Sequence, residues 1–274
     1  MSGRKQEGID RYALVHRHHP TYRQADLFAP FAVGNGEFAF TADITGLQSF
    51  PENYDVPLGT QSQWGWHSSE GNNRYQRSDL RPQMYDTYGR EVGYYVDGKE
   101  QEQAFHWLRQ NPHRLQLAQI GMRLLNSDGR MVSLGELTQI EQTLDLWQGM
   151  LTSRFMAGDV PVTVQTCCHP SSDQLSFRIE SALLTQGRLE IAIGFPSPTQ
   201  DAEAWADDVG LNWNREEDHE SELTQTGGTE AVFIRTMDED GYKVAASWSL
   251  RQHRTRRQAP VPHRSSGRNR GSGV

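Results

Sequence analysis

Cysteine is nearly missing: the 274-residue chain holds two, side by side at Cys167 and Cys168. Neighbouring side chains in a strand point to opposite faces, so this pair makes no sound disulfide and the chain has no disulfide framework. Long apolar runs are missing too. No stretch of about 18 apolar residues is available to cross a bilayer, and residues 1–10 lack the apolar centre of a secretory leader. These absences set the expectation of a cytoplasmic protein with no membrane partner, although a chain that had lost a leader would read the same. Hydrophobic residues make up 35% of the sequence and the mean hydropathy is −0.73. That is low for a compact domain and points to long polar loops or a surface covered by a partner.

Basic residues are scarce outside the C-terminal end. Net charge is −8, but seven of the 27 Lys and Arg fall in 251–274, which holds no Asp or Glu. Residues 1–250 therefore set 20 basic against 35 acidic residues, a charge of about −15. Such a body repels a phosphate backbone, and no nucleic-acid partner is expected.

What is present is alternation. In 37–44, Phe38, Phe40, Ala42 and Ile44 fall on one face, the period of a half-buried strand. Asp10 is placed to cap a short helix through His16, and 99–110 reads as a second helix with Ala104, Phe105 and Leu108 inward. Residues 51–99 otherwise show little period. After Pro112 the texture is all-β: strands over 115–125, 137–146, 150–156 and 160–167, then 174–181 paired with 188–195 around Gln186-Gly187. A polar loop over 196–226 carries Trp205 and Trp213, and a last hairpin, 230–236 with 242–248, turns at 238–241. The expected fold is mainly β, a large antiparallel β-sandwich with a few short helices near the N-terminus. Residues 1–8 read as a disordered start and 9–249 as the domain. Residues 250–274 read as a basic low-complexity tail, from an out-of-frame or truncated end or from a native disordered extension.

Several motifs invite chemistry that their context does not support. Gly34-Asn35-Gly36 opens a strand rather than a helix, so it reads as a turn and not a phosphate loop. His16, His18 and His19, and separately Cys167, Cys168 and His169, lack zinc-site spacing; no metal or other cofactor is expected. Asp238-Glu239-Asp240-Gly241 lacks the ligand spacing of a calcium loop and suits a hairpin turn. The acidic run 216–220 reads as a solvated loop, and no carboxylate pair stands out as a glycosidase acid and base. The loop over 61–67 is different. Trp64 and Trp66 offer aromatic faces for the C–H side of a pyranose, and Gln61, Gln63 and His67 offer donors and acceptors for sugar hydroxyls. Both indoles could equally pack the loop onto the sandwich.

The segment VGNGEFAFTADITGLQSFPE, followed by PLGTQSQWGWHS, resembles the N-terminal region of bacterial six-hairpin glycosidase-like proteins of the glycoside hydrolase family 65 type. The resemblance is strongest over 9–69 and runs loosely to about 248. It implies a β-super-sandwich that supports an (α/α)6 barrel, a carbohydrate substrate, and a loop at Trp64–His67 facing the barrel. In such proteins the catalytic carboxylates lie in the barrel, so the resemblance assigns no catalytic residue to this chain. It makes the missing C-terminal barrel the expected partner. A free-standing carbohydrate-binding module and an inactive fragment of a disrupted glycosidase gene are the alternatives.

Overall fold

The computed structural model describes residues 8–68, 74–96, 98, 100–198, 213, 216–238 and 240–250. Trp205, Glu239 and the basic tail of 251–274 lie outside them. Asp10 accepts the Ala13 amide at 3.0 Å and so caps α1 (Arg11–His16) as its position predicts. After β1 (Thr21–Tyr22), strands β2 (Phe31–Gly34) and β3 (Phe38–Ala42) form a hairpin. β3 keeps its period of two, with Phe38, Phe40 and Ala42 buried and Ala39 exposed. The turn needs its glycines: a Cβ on Gly34 would lie 2.6 Å from the Phe38 carbonyl oxygen, and Gly36 has φ +95°.

β4 (Thr60–Ser62) joins the free edge of β3, and β5 (Trp66–His67) follows. Residues 83–94 form a hairpin of β6 (Gln83–Thr87) and β7 (Arg90–Tyr94). Nearly all of it is exposed, so neither face carries the alternation that announces a strand in sequence. In α2 (Glu102–Gln110), Ala104 and Phe105 are buried as expected; Trp107 is the third buried apolar residue, and Leu108 is only half-buried.

β8 (His113–Arg114), β9 (Gln119–Leu124), β10 (Leu137–Asp145), β11 (Met150–Ala157), β12 (Val160–Cys168) and β13 (Leu175–Ser181) come next. α3 (Ala182–Thr185), capped by the Ser181 hydroxyl, then leads to β14 (Leu189–Gly194). The expected hairpin of 174–181 with 188–195 does not form. β13 pairs with β12, whereas β14 pairs with β9. The helical turn between them moves the chain to another sheet, and it places one helix well away from the N-terminus. β15 (Glu220–Gly227), β16 (Glu230–Met237) and β17 (Asp240–Ser247) make a meander, so the tail of the expected 196–226 loop is strand.

The fold is mainly β. Its central sheet runs β1-β10-β11-β12-β13. One face of that sheet presents Leu151, Phe155, Ala157, Val162 and Val164, all buried. β9 and β14 cover part of it through Met122, Leu124 and Leu189. β2 and β3 cover the rest through Val33, Phe40 and Ala42 against Leu151. This layering is sandwich-like, and each large side chain wholly removed from water contributes about 1.5–3 kcal/mol.

Between the layers lies a buried polar segment, 43–50. The Asp43 carboxylate accepts the amides of Thr45, Ser49 and Phe50 and the Thr45 hydroxyl. Burial pushes the Asp43 carboxyl up to about 6 against those four donors. Gln142 donates to the Asp43 carbonyl, Thr166 to that of Gly46, and Gln48 exchanges hydrogen bonds with Ile120. These contacts tie the end of β3 to β9, β10 and β12, and Gln48 also reaches the Thr60 hydroxyl at the start of β4, which leads into the 61–67 loop.

Candidate functional site

The loop after β4 bends at Gly65 rather than running extended. The Gly65 amide donates to Ser62 O at 3.1 Å and the Trp66 amide to Trp64 O at 2.9 Å. The chain then straightens into β5, where Trp66 lies opposite Arg114 and His67 opposite His113. The two indoles thereby acquire separate partners.

Trp64 is 52% exposed. Its Nε1 donates to Asp173 Oδ2 at 2.7 Å, and its ring stands 6.1 Å from that of Tyr242, tilted by 57°. Ser62 also donates to Asp173 Oδ2, at 2.6 Å. Asp173 reaches this position through the Gly34-Asn35-Gly36 turn. The Asn35 amide nitrogen donates to the carbonyls of His169 and Ser172, while its oxygen accepts the amides of Glu37 and Phe38. One turn residue thus closes its own hairpin and holds the loop between β12 and β13.

Trp66 is 46% exposed. Its Nε1 donates to Gln63 O at 3.1 Å, and the Arg114 guanidinium lies 4.4 Å from its ring centroid. Arg114 is held in turn, donating to Ser62 O at 2.7 Å. Asp173 and Arg114 therefore converge on Ser62, one at its hydroxyl and one at its carbonyl. Each indole N–H is bonded internally, which leaves ring surface facing solvent with little freedom to move.

The other three expected site residues divide. Gln63 is exposed beside the indoles. Gln61 is half-buried on the face of β4 opposite Thr60 and Ser62. His67 points inward, its side chain 1% exposed, with Nδ1 3.2 Å from Asp240 Oδ2 and Nε2 3.4 Å from Asp238 Oδ2. β16 and β17 pair as the expected hairpin, with Met237 opposite Asp240, and Asp238 and Asp240 meet His67; Glu239 between them lies outside the described residues. The His113 ring lies 5.3 Å from that of His67, with each nitrogen 2.9 Å from a backbone carbonyl, of Gln110 and of Pro198. Burial, and then the nearby His67, hold the His113 pKa below the ordinary histidine value.

Asp173, Arg114, Tyr242 and His113 were not among the expected site residues; their distance along the chain hides them. The meander that carries Tyr242 is fixed by its hydroxyl, which donates to Leu117 O, and by buried Arg235, which donates to Pro196 O, Glu220 O and the Ser221 hydroxyl.

The other motifs have structural surroundings. His16 and His19 form an edge contact, Tyr12 lies edge-on to Trp147, and His19 pairs with Asp145 at 3.3 Å. Cys167 and Cys168 are free thiols on β12, and burial pushes the Cys168 thiol up. Among the described residues no three His, Cys, Asp or Glu side chains converge as metal ligands. Nor is any helix among them long and apolar enough to cross a membrane. No protein-family model matches the chain, and no curated protein matches it at a significant level.

Proposed function

We propose that this chain is the β-super-sandwich domain of a carbohydrate-active enzyme, and that Trp64 and Trp66 contact the sugar. The observation that carries the reading is two half-exposed indoles whose N–H groups are already bonded within the protein. Ring faces held this way present apolar surface to sugar C–H groups and lose little entropy on binding. Gln63 and Arg114 stand beside them with donors for hydroxyls. His67 serves the site from inside, as an anchor for the β16–β17 hairpin.

The hydrolysis or phosphorolysis itself belongs to carboxylates of a helical barrel. A partner domain of that kind suits the β6–β7 hairpin, where Met84, Tyr85, Tyr88 and Tyr94 are exposed. Calorimetric titration of the chain with neutral gluco-, manno- and galacto-oligosaccharides tests the sugar site. Saturable binding is expected, weakened about tenfold by Trp64→Ala or Trp66→Ala, the effect of losing one aromatic contact of ~1.4 kcal/mol. Binding by none of these sugars, or equal binding by both variants, would sink the proposal.

A further inference from the structure

The geometry points to His67 as a proton-gated positioning residue: its imidazolium form clasps Asp238 and Asp240 together and so sets the β16–β17 hairpin, with Tyr242, against the Trp64 ring. The sugar-site reading enters only in what the clasp positions; the clasp itself is defined without sugar.

A neutral imidazole has one N–H and one lone pair, whereas the imidazolium has two N–H groups. Both nitrogens of His67 face carboxylate oxygens, at 3.2 and 3.4 Å. Neutral His67 can donate to only one of them, and its lone pair then faces the other. The imidazole is 1% exposed, whereas Asp238 and Asp240 are 37% and 51% exposed, so water reaches the carboxylates but not the ring. Protonated His67 offers an N–H to each aspartate, hydrogen-bonded to Asp240 and within ion-pair distance of Asp238.

Among the described residues, the titratable groups facing His67 are Asp238 and Asp240 from the hairpin and His113 from β8. Among the described residues, the His113 nitrogens meet the carbonyl oxygens of Gln110 and Pro198. Two imidazolium rings 5.3 Å apart would repel one another. Of the two rings, His67 is the one flanked by carboxylates, and it is there that the geometry accommodates an imidazolium. Tyr242 lies two residues beyond Asp240 on the same strand, so the clasp bears directly on the wall beside Trp64.

Hydrogen exchange of residues 230–247 at pH 5.5 and pH 8, corrected for the intrinsic pH dependence of exchange, tests this in the sugar-free chain. Protection of the wild-type hairpin should fall about tenfold at pH 8, as expected from losing one charge-assisted hydrogen bond. In Asp238→Asn/Asp240→Asn, altered at partly exposed positions that leave the core intact, that pH dependence should vanish. Wild-type protection equal at both pH values, or the same fall in the double variant, would overturn the proposal. Failure of the chain to bind sugar would remove the function proposed above and leave this result standing.

Discussion

Removal of the Asp43 carboxylate is the sharpest perturbation of the frame beneath the loop. Asp43→Ala strands the amides of Thr45, Ser49 and Phe50; the Thr45 hydroxyl keeps a partner in Ser49 Oγ at 2.8 Å. Three buried amides left unpaired cost about 1–3 kcal/mol each. Against this stands the relief of no longer burying a charge. The Asp43 carboxyl sits at about 6 rather than 3.8, roughly two pK units or ~3 kcal/mol. The balance is a loss of about 3 kcal/mol at pH 7. The sign with pH follows from a folded-state value above the unfolded one. The Asp43 contribution is fully present below about 3.8 and is lost as pH rises through about 6. The gap between wild type and Asp43→Ala should therefore widen by ~2 kcal/mol at pH 4.5. Urea unfolding of both proteins at the two pH values measures it. A loss under ~1 kcal/mol at pH 7, or a gap that narrows in acid, would mean that Asp43 does not hold this segment as described.

Two other substitutions probe neighbouring parts of the structure. In Gly121→Ala the added Cβ would lie 2.5 Å from the Gln48 carbonyl oxygen, so β9 must move off the polar segment; a loss of about 2 kcal/mol is expected in thermal unfolding, and an unchanged Tm would contradict that contact. Asp173→Ala frees the Trp64 N–H and the Ser62 hydroxyl at an exposed position; stability should change by less than ~1 kcal/mol while acrylamide quenching of Trp64 fluorescence rises, and unchanged quenching would argue against the anchor.

Local features were legible in the sequence. Asp10 capped its helix, the alternation of 37–44 held over 38–42 before Asp43 turned inward, and the last two strands paired as a hairpin. Pattern reveals which face of a strand is buried but not which strand lies beside it. That is why β13 and β14, close in sequence and both alternating, proved to belong to different sheets. The β6–β7 hairpin escaped notice because it buries neither face. At the candidate site the indoles and Gln63 were visible as an aromatic, amide-rich loop. Asp173 lies 109 residues from Trp64, and Asp240 lies 173 residues from His67, so no local spacing could bring either pair together. The same absence of long-range information hid the inward turn of His67, whose position beside Trp66 suggested a surface donor.

Sugar stacked on Trp64 and Trp66 would alter the surroundings of both indoles. The most direct measurement follows the indole N–H resonances of 15N-labelled protein, assigned by Trp→Phe substitution, as oligosaccharide is added. Saturable shifts are expected at Trp64 and Trp66, with exposed Trp147, seated against Tyr12 far along the chain, unmoved. Shifts confined to other tryptophans, or none with any of the neutral oligosaccharides, would contradict that stacking.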